Sequence, residues 1–223
     1  MKVALINEYK ERFKVHLSSA GTIGNLFYLD VIDNWQRTWN VEAKDLHDIY
    51  DRSLQSKVSA RLWGGTTNSP KSMMIRLLQE DEPFMRSTFR DLFNEKLDIG
   101  LRLDRFGYHA DQVFRPLLTR RTQLSTHHHD DREILCLYLA LQYPSKYCLF
   151  DYPSFSNMMN VLESRNIPTV VEVERYYKSC RAIYNLIVKD ESLVALLKSI
   201  TGRDHIDMIL MSYFMEYIAK QKQ

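Results

Sequence analysis

Residues 68–106 read NSPKSMMIRLLQEDEPFMRSTFRDLFNEKLDIGLRLDRF, and this stretch decides the fold class. Ser69 before Pro70 is a helix start, because serine is a favoured N-cap and proline a favoured first helical residue. Met73, Met74, Leu77 and Leu78 follow at the spacing of one helical face. A second start stands at Asp81-Glu82-Pro83 and leads into Phe84, Thr88, Phe89, Leu92 and Phe93. A third helix is expected over about 96–107 through Leu97, Leu101, Leu103 and Phe106. The stretch is three amphipathic helices and carries no catalytic motif.

The same period runs outward in both directions. Upstream, Val3, Ile6, Tyr9, Phe13 and Leu17 mark one helix, and Leu26, Leu29, Ile32, Trp35 and Trp39 another. Asn40 is placed to cap a third, with Leu46, Ile49, Tyr50 and Leu54 on its face. SSAGTIGN (18–25) and SARLWGGTTNS (59–69) read as loops, the second holding the adjacent pair Gly64-Gly65. Downstream, a helix over 108–120 is expected to kink at Pro116. TQLSTHHHD (122–130) is a polar loop from which Asp130 caps REILCLYLALQY, a helix apolar almost all round and expected to be the most buried. Pro144 stops it. KYCLFDY (146–152) is read as a β bridge or a buried strand-like connection. Ser154 caps the next helix, Thr169 caps a long one over 170–189, Gly202 ends one over 191–201, and Asp204 opens the last. The expected fold is an all-α, irregular multi-helix bundle with one short extended segment. It is expected as one domain over 1–223, with a soft subdomain boundary at 122–130.

Composition agrees. With 45% hydrophobic and 26% charged residues in 223, the chain can bury a core without staples. Only 7 Gly and 6 Pro argue against a loop-rich β protein. Cys136, Cys148 and Cys180 form no C-x-x-C pair and sit among apolar neighbours, so they read as buried thiols in a reducing cytoplasm. Charges interrupt the first residues, so no signal peptide is read, and no apolar run reaches membrane-spanning length.

Motifs that carry chemistry are scarce. G-x-x-x-x-G-K-[ST], G-x-S-x-G, H-E-x-x-H and G-x-G-x-x-G do not occur. No catalytic residue and no cofactor is therefore assigned. Gly64-Gly65 ahead of a helix is read as turn and cap rather than phosphate cradle, because the P-loop spacing is missing. Glu172-Val173-Glu174 lies on a helical pattern, which excludes a sheet-borne nuclease core. His127, His128 and His129, followed by Asp130, are the candidate metal ligands. Adjacent side chains rarely converge on one ion, so polar loop plus cap is preferred, with a metal-dependent enzyme as the third hypothesis. His109 and Asp111 could join that set only through the fold.

The net charge of +2 is too small to mark a strong nucleic-acid binder. The distribution says more: Arg102, Arg105, Arg115, Arg120, Arg121 and Arg132 form a dense basic set suited to phosphate. They are the candidate nucleic-acid contacts. The plainer reading is a solvated face balanced by Asp98, Asp104 and Asp111.

TNSPKSMMIRLL, FMRSTFRDLFNE and LRLDRF, with HHDDREILCLYLALQYPSKYCLFDY (128–152) and EVERYYKSCRAIYNLIVKD (172–190), form a pattern. It resembles the amino-terminal region of some McrB-like AAA proteins of modification-dependent restriction and defence. The resemblance implies a recognition or adaptor module that precedes a nucleotide-hydrolysing domain, with DNA and an AAA NTPase or another defence subunit as partners. It transfers no site residue, and the absence of Walker motifs excludes the motor itself. The alternative is a stand-alone protein-interaction domain, self-associating through Tyr213, Phe214 and Tyr217 of the last helix.

Overall fold

The computed structural model describes residues 1–23, 26–55, 62, 68–120 and 124–221. Among them are eleven α-helices and no strand: α1 (Val3–Ala20), α2 (Phe27–Thr38), α3 (Leu46–Ser53), α4 (Pro70–Glu80), α5 (Glu82–Leu92), α6 (Ile99–Arg120), α7 (Arg132–Gln142), α8 (Tyr152–Val161), α9 (Val173–Ile187), α10 (Glu191–Thr201) and α11 (Ile209–Lys220). The fold is all-α. No helix among the described residues is long and apolar enough to cross a membrane.

Two compact units partition the chain: Phe27–Gln142, and Met1–Leu26 together with Tyr143–Gln223. Residues 124–130 lie inside the first of these, and the chain passes from one unit to the other next to Pro144, where α7 stops. The continuous unit packs α5 on α6, with α4 against both, and α2 against α3 and α7. Its centre is α7, in which every residue from Leu135 to Leu141 is buried. Trp35, Tyr50, Phe89 and Phe106 gather around its Tyr138 with ring contacts, Trp35 to Tyr138 at 6.1 Å and Phe89 to Phe106 at 5.1 Å.

In the discontinuous unit the central helix is α11, packed on α8, α9 and α1. Tyr213 and Phe214 are buried there, Phe214 edge-on to Phe13 at 5.4 Å. A docking surface made of Tyr213, Phe214 and Tyr217 is therefore not presented to solvent. Only Tyr217 is half-buried, in a cleft of about 230 Å³ that it shares with Phe13 and His16.

The helix starts at Ser69-Pro70 and Asp81-Glu82-Pro83 fall where expected. Ser69 Oγ accepts the Ser72 N–H at 3.2 Å, and Asp81 Oδ1 accepts that of Phe84 at 3.1 Å. Gly202 closes α10 at φ 68°, its N–H on the Lys198 carbonyl, a left-handed position that suits glycine. Other boundaries differ. Asp45, not Asn40, caps α3, because Asn40 is drawn into a tight turn with Glu42. Asp151, not Ser154, caps α8, which begins earlier with Pro153 in its first turn. Thr169 forms a turn with Glu172, and α9 starts only at Val173. Residues 96–107 and 108–120 are not two helices: α6 runs unbroken through Pro116.

Residues 147–151 pair with no strand. Their backbone is satisfied by side chains instead: Ser212 Oγ takes the Leu149 N–H, Tyr176 donates to the Leu149 carbonyl, and Tyr177 donates to that of Cys148. This is the buried strand-like connection, with hydroxyls in place of a ladder. Cys136, Cys148 and Cys180 are all buried, and none of them is in a disulfide. The Gly64-Gly65 turn and Arg121 lie outside the described residues.

Candidate nucleic-acid interface and a buried histidine network

The five described arginines of the basic set, Arg102, Arg105, Arg115, Arg120 and Arg132, do not form one face. Arg102 is buried, with 3% of its surface exposed, and one guanidinium nitrogen donates to the Leu92 carbonyl and to Glu95 Oε1, each at 2.9 Å. It ties down the C-terminal end of α5 and is inaccessible to a ligand. Arg120 is held by Glu80 and Arg132 by Asp104, the latter at 3.2 Å. Arg132 also buries its second terminal nitrogen without a hydrogen-bond partner in the structure.

Arg105 and Arg115 remain. Both are exposed and make no ion pair among the described residues. They belong to a stripe on α6, Leu101, Arg105, Tyr108, Gln112, Arg115 and Thr119, in which every residue is exposed. The alternating four and three residue steps keep these side chains on one side of a helix. The opposite side, including Leu103, Phe106, Ala110, Val113 and Leu117, is buried. Ten residues separate the two arginines, a rise of about 15 Å. Tyr108 stands between them with 58% exposure. The acids beside the stripe are partnered from outside α6: Asp104 by Arg132, and Asp111 by His127 at 3.0 Å. Neither Arg105 nor Arg115 is tied to an acid of the same helix by an ion pair.

The three histidines are brought together, but not as ligands around an empty point. His128 adopts φ 65° in the left-handed region, and this reversal lays the His127 and His129 rings side by side, centroids 5.9 Å apart and 20° from parallel. The His129 N–H donates to His127 Nδ1 at 2.9 Å, so the His127 proton is on Nε2 and points at Asp111. His129 Nδ1 donates to the His127 carbonyl at 2.5 Å, which leaves its Nε2 as an acceptor for the Tyr138 hydroxyl at 2.9 Å. The Tyr138 oxygen is then free to accept from Tyr50 at 2.7 Å. The result is a directed chain from Tyr50 to Asp111, with its inner members fully buried. Burial, then the neighbouring His127, push the His129 pKa down to about 3, and burial raises both tyrosine hydroxyls above their usual range. Every ring nitrogen of His127 and His129 has a partner, and His128 Nε2 donates to the Asn68 carbonyl at 2.8 Å. The three histidines thus offer no convergent set of unpartnered ring nitrogens, since only His128 Nδ1 is without a hydrogen bond among the described residues.

Of the two residues that the fold could add to this cluster, Asp111 joins it and His109 does not. His109 Nδ1 donates to Thr88 Oγ1 at 3.2 Å, whose own proton goes to the Phe84 carbonyl. Tyr50 and Tyr138 are hidden within apolar helical faces, where a tyrosine reads as core. A different group, Asp45, His47 and Glu82, brings three potential ligand atoms within 4.8 Å of one another. Its oxygens already cap and pair: Asp45 takes the Asp48 N–H, while Glu82 takes the Leu46 N–H and Arg86. Arg86 also places a cation beside any ion that would enter. No protein-family model, no curated protein and no solved structure matches this chain.

Proposed function

We propose that this chain is a recognition and adaptor module that acts by binding rather than turnover, and that the outer stripe of α6 contacts the phosphate backbone of a nucleic acid. The observation that carries the reading is the pair Arg105 and Arg115, exposed and unpaired on one rigid helix with Tyr108 between them. Arginine suits phosphate contacts, and an exposed tyrosine offers a flat face for a base or sugar. The resemblance to McrB-like front modules supports an NTPase of a restriction or defence system as the subunit that this module serves.

The test is a fluorescence-anisotropy titration of labelled single- and double-stranded DNA, with and without methylated cytosine, at several salt concentrations. Binding should weaken with salt. The Arg105→Ala/Arg115→Ala variant should bind more weakly and reduce the slope of log K against log salt by about 2, roughly one for each phosphate that is no longer neutralised. No binding at low salt, or an unchanged slope in the variant, removes the nucleic-acid reading and leaves a protein adaptor.

A further inference from the structure

Beside the α6 stripe, within the same unit, lies a cleft of about 280 Å³ lined by Glu80, Asp81, Phe84, Gln112, Val113 and Pro116. It opens between the α4–α5 junction and the middle of α6. Its apolar side is made of the half-buried Phe84 ring, the buried Val113 and the Pro116 ring. Glu80 and Asp81 bring two carboxylates to one end. Pro116 has no N–H, so the Gln112 carbonyl, which a regular helix would bond to residue 116, keeps its acceptor capacity on that wall. An aromatic face with carboxylates at one end suits a cation on an apolar stem.

The chain itself supplies an example of the occupant. Arg120 reaches back from the end of α6, its Nε donating to the Pro116 carbonyl at 3.2 Å and its Nη2 contacting Glu80. Glu80 is only 24% exposed, whereas Arg120 is 58% exposed. The carboxylate is therefore set into the fold while the guanidinium lies over it as a removable strap, and an exposed pair of this kind is held weakly.

We propose that this cleft receives an arginine side chain of a partner protein, and that the incoming guanidinium takes Glu80 from Arg120. A planar guanidinium can engage Glu80 through two parallel N–H bonds while its stem lies against Phe84 and Pro116. The cleft shares Gln112 with the α6 stripe, but neither Arg105 nor Arg115 lines it, so the two readings fail separately.

The probe is N-acetyl-arginine methylamide, titrated into the full chain and followed by backbone amide NMR shifts, with the neutral isostere N-acetyl-citrulline methylamide as control. Shifts are expected at Phe84, Gln112 and Val113 with the arginine probe and not with citrulline. Glu80→Gln keeps the shape and removes the charge, and should weaken binding at least fivefold. Asp81→Asn keeps a cap for α5 and should weaken it less. Arg120→Ala removes the competing strap and should tighten binding severalfold, the opposite sign. Equal shifts with citrulline, shifts elsewhere only, or weaker binding in Arg120→Ala would each overturn the proposal. Should Glu80→Gln fold poorly, the Arg120→Ala titration decides alone.

Discussion

His127 Nδ1 accepts the backbone N–H of His129 at 2.9 Å while the His127 carbonyl accepts from His129 Nδ1, and these two bonds together set the direction of every proton between Tyr50 and Asp111. Tyr138 sits in the middle of that chain and is both donor and acceptor. Tyr138→Phe would leave the buried His129 Nε2 without a donor and the Tyr50 hydroxyl without an acceptor. It should cost about 2–4 kcal/mol, the sum of two buried groups left unsatisfied. Tyr50→Phe removes only the terminal donor and should cost about 1 kcal/mol. Urea unfolding of the two variants checks the order. Equal losses would mean that the chain is not directed as described.

The same network makes stability depend on acid. His129 is fully buried with a folded pKa of about 3, against about 6.5 in an unfolded chain. Below pH 6.5 the unfolded state takes up a proton that the folded state refuses. His129 therefore costs nothing above that value, and stability falls as pH drops from about 6.5 towards 3, by up to about 1.4 kcal/mol per pH unit. Glu172, whose carboxyl is held at about 2 by the Thr169 N–H and then by Arg175, loses its contribution only at lower pH, from about 4 downward. The two windows overlap only at about pH 3–4, so the loss between about pH 6.5 and 4.5 is separable from Glu172. Unfolding free energies of His129→Gln at pH 7.5, 6 and 5 should fall less steeply than those of the parent chain. A parallel slope would remove His129 as the cause.

Arg102 and Arg105 are three residues apart with opposite expected behaviour. Arg102→Ala strips the buried partner from the Leu92 carbonyl and Glu95, and should destabilise by about 3 kcal/mol. Arg105→Ala touches nothing that the fold needs, and should change stability by less than about 0.5 kcal/mol. Thermal melts of the single variants separate them before any ligand is added.

The start of α8 offers a cleaner contrast. Asp151 Oδ1 accepts the Ser154 N–H at 3.0 Å, so Asp151→Ala should cost about 1 kcal/mol while Ser154→Ala should be near neutral. The reverse order would return the cap to Ser154.

These contrasts mark how far the sequence is legible. A helix announced by a cap followed at once by proline, as at Ser69-Pro70, can be placed to the residue, because both signals act on the same turn. A cap read from a lone polar residue is easily displaced. At Asp151 and Ser154, two capping residues compete, and the proline between them fixes which turn is first. Pro116 suggests a kink or an interruption, yet α6 continues, its buried side held by packing on α4, α5 and α7. The basic set is visible in one dimension, but whether an arginine is buried, paired or free depends on Glu80, Glu95 and Asp104. Two of those acids lie 28 and 40 positions from the arginine each one holds, beyond the reach of a local pattern. Tyr50 and Tyr138 lie 88 positions apart, and no local pattern tells a buried hydroxyl with a partner from one without.

Phe13 of α1 packs on Phe214 of α11, and the whole continuous unit is synthesised between them. At about 5–20 residues per second, the wait from one ring to the other is roughly 10–40 s. Through that interval the nascent α1 carries Ile6, Phe13 and Leu17 with no finished partner, while the segment behind it can already fold. On the ribosome, α1 is made before the continuous unit and finds its place after it.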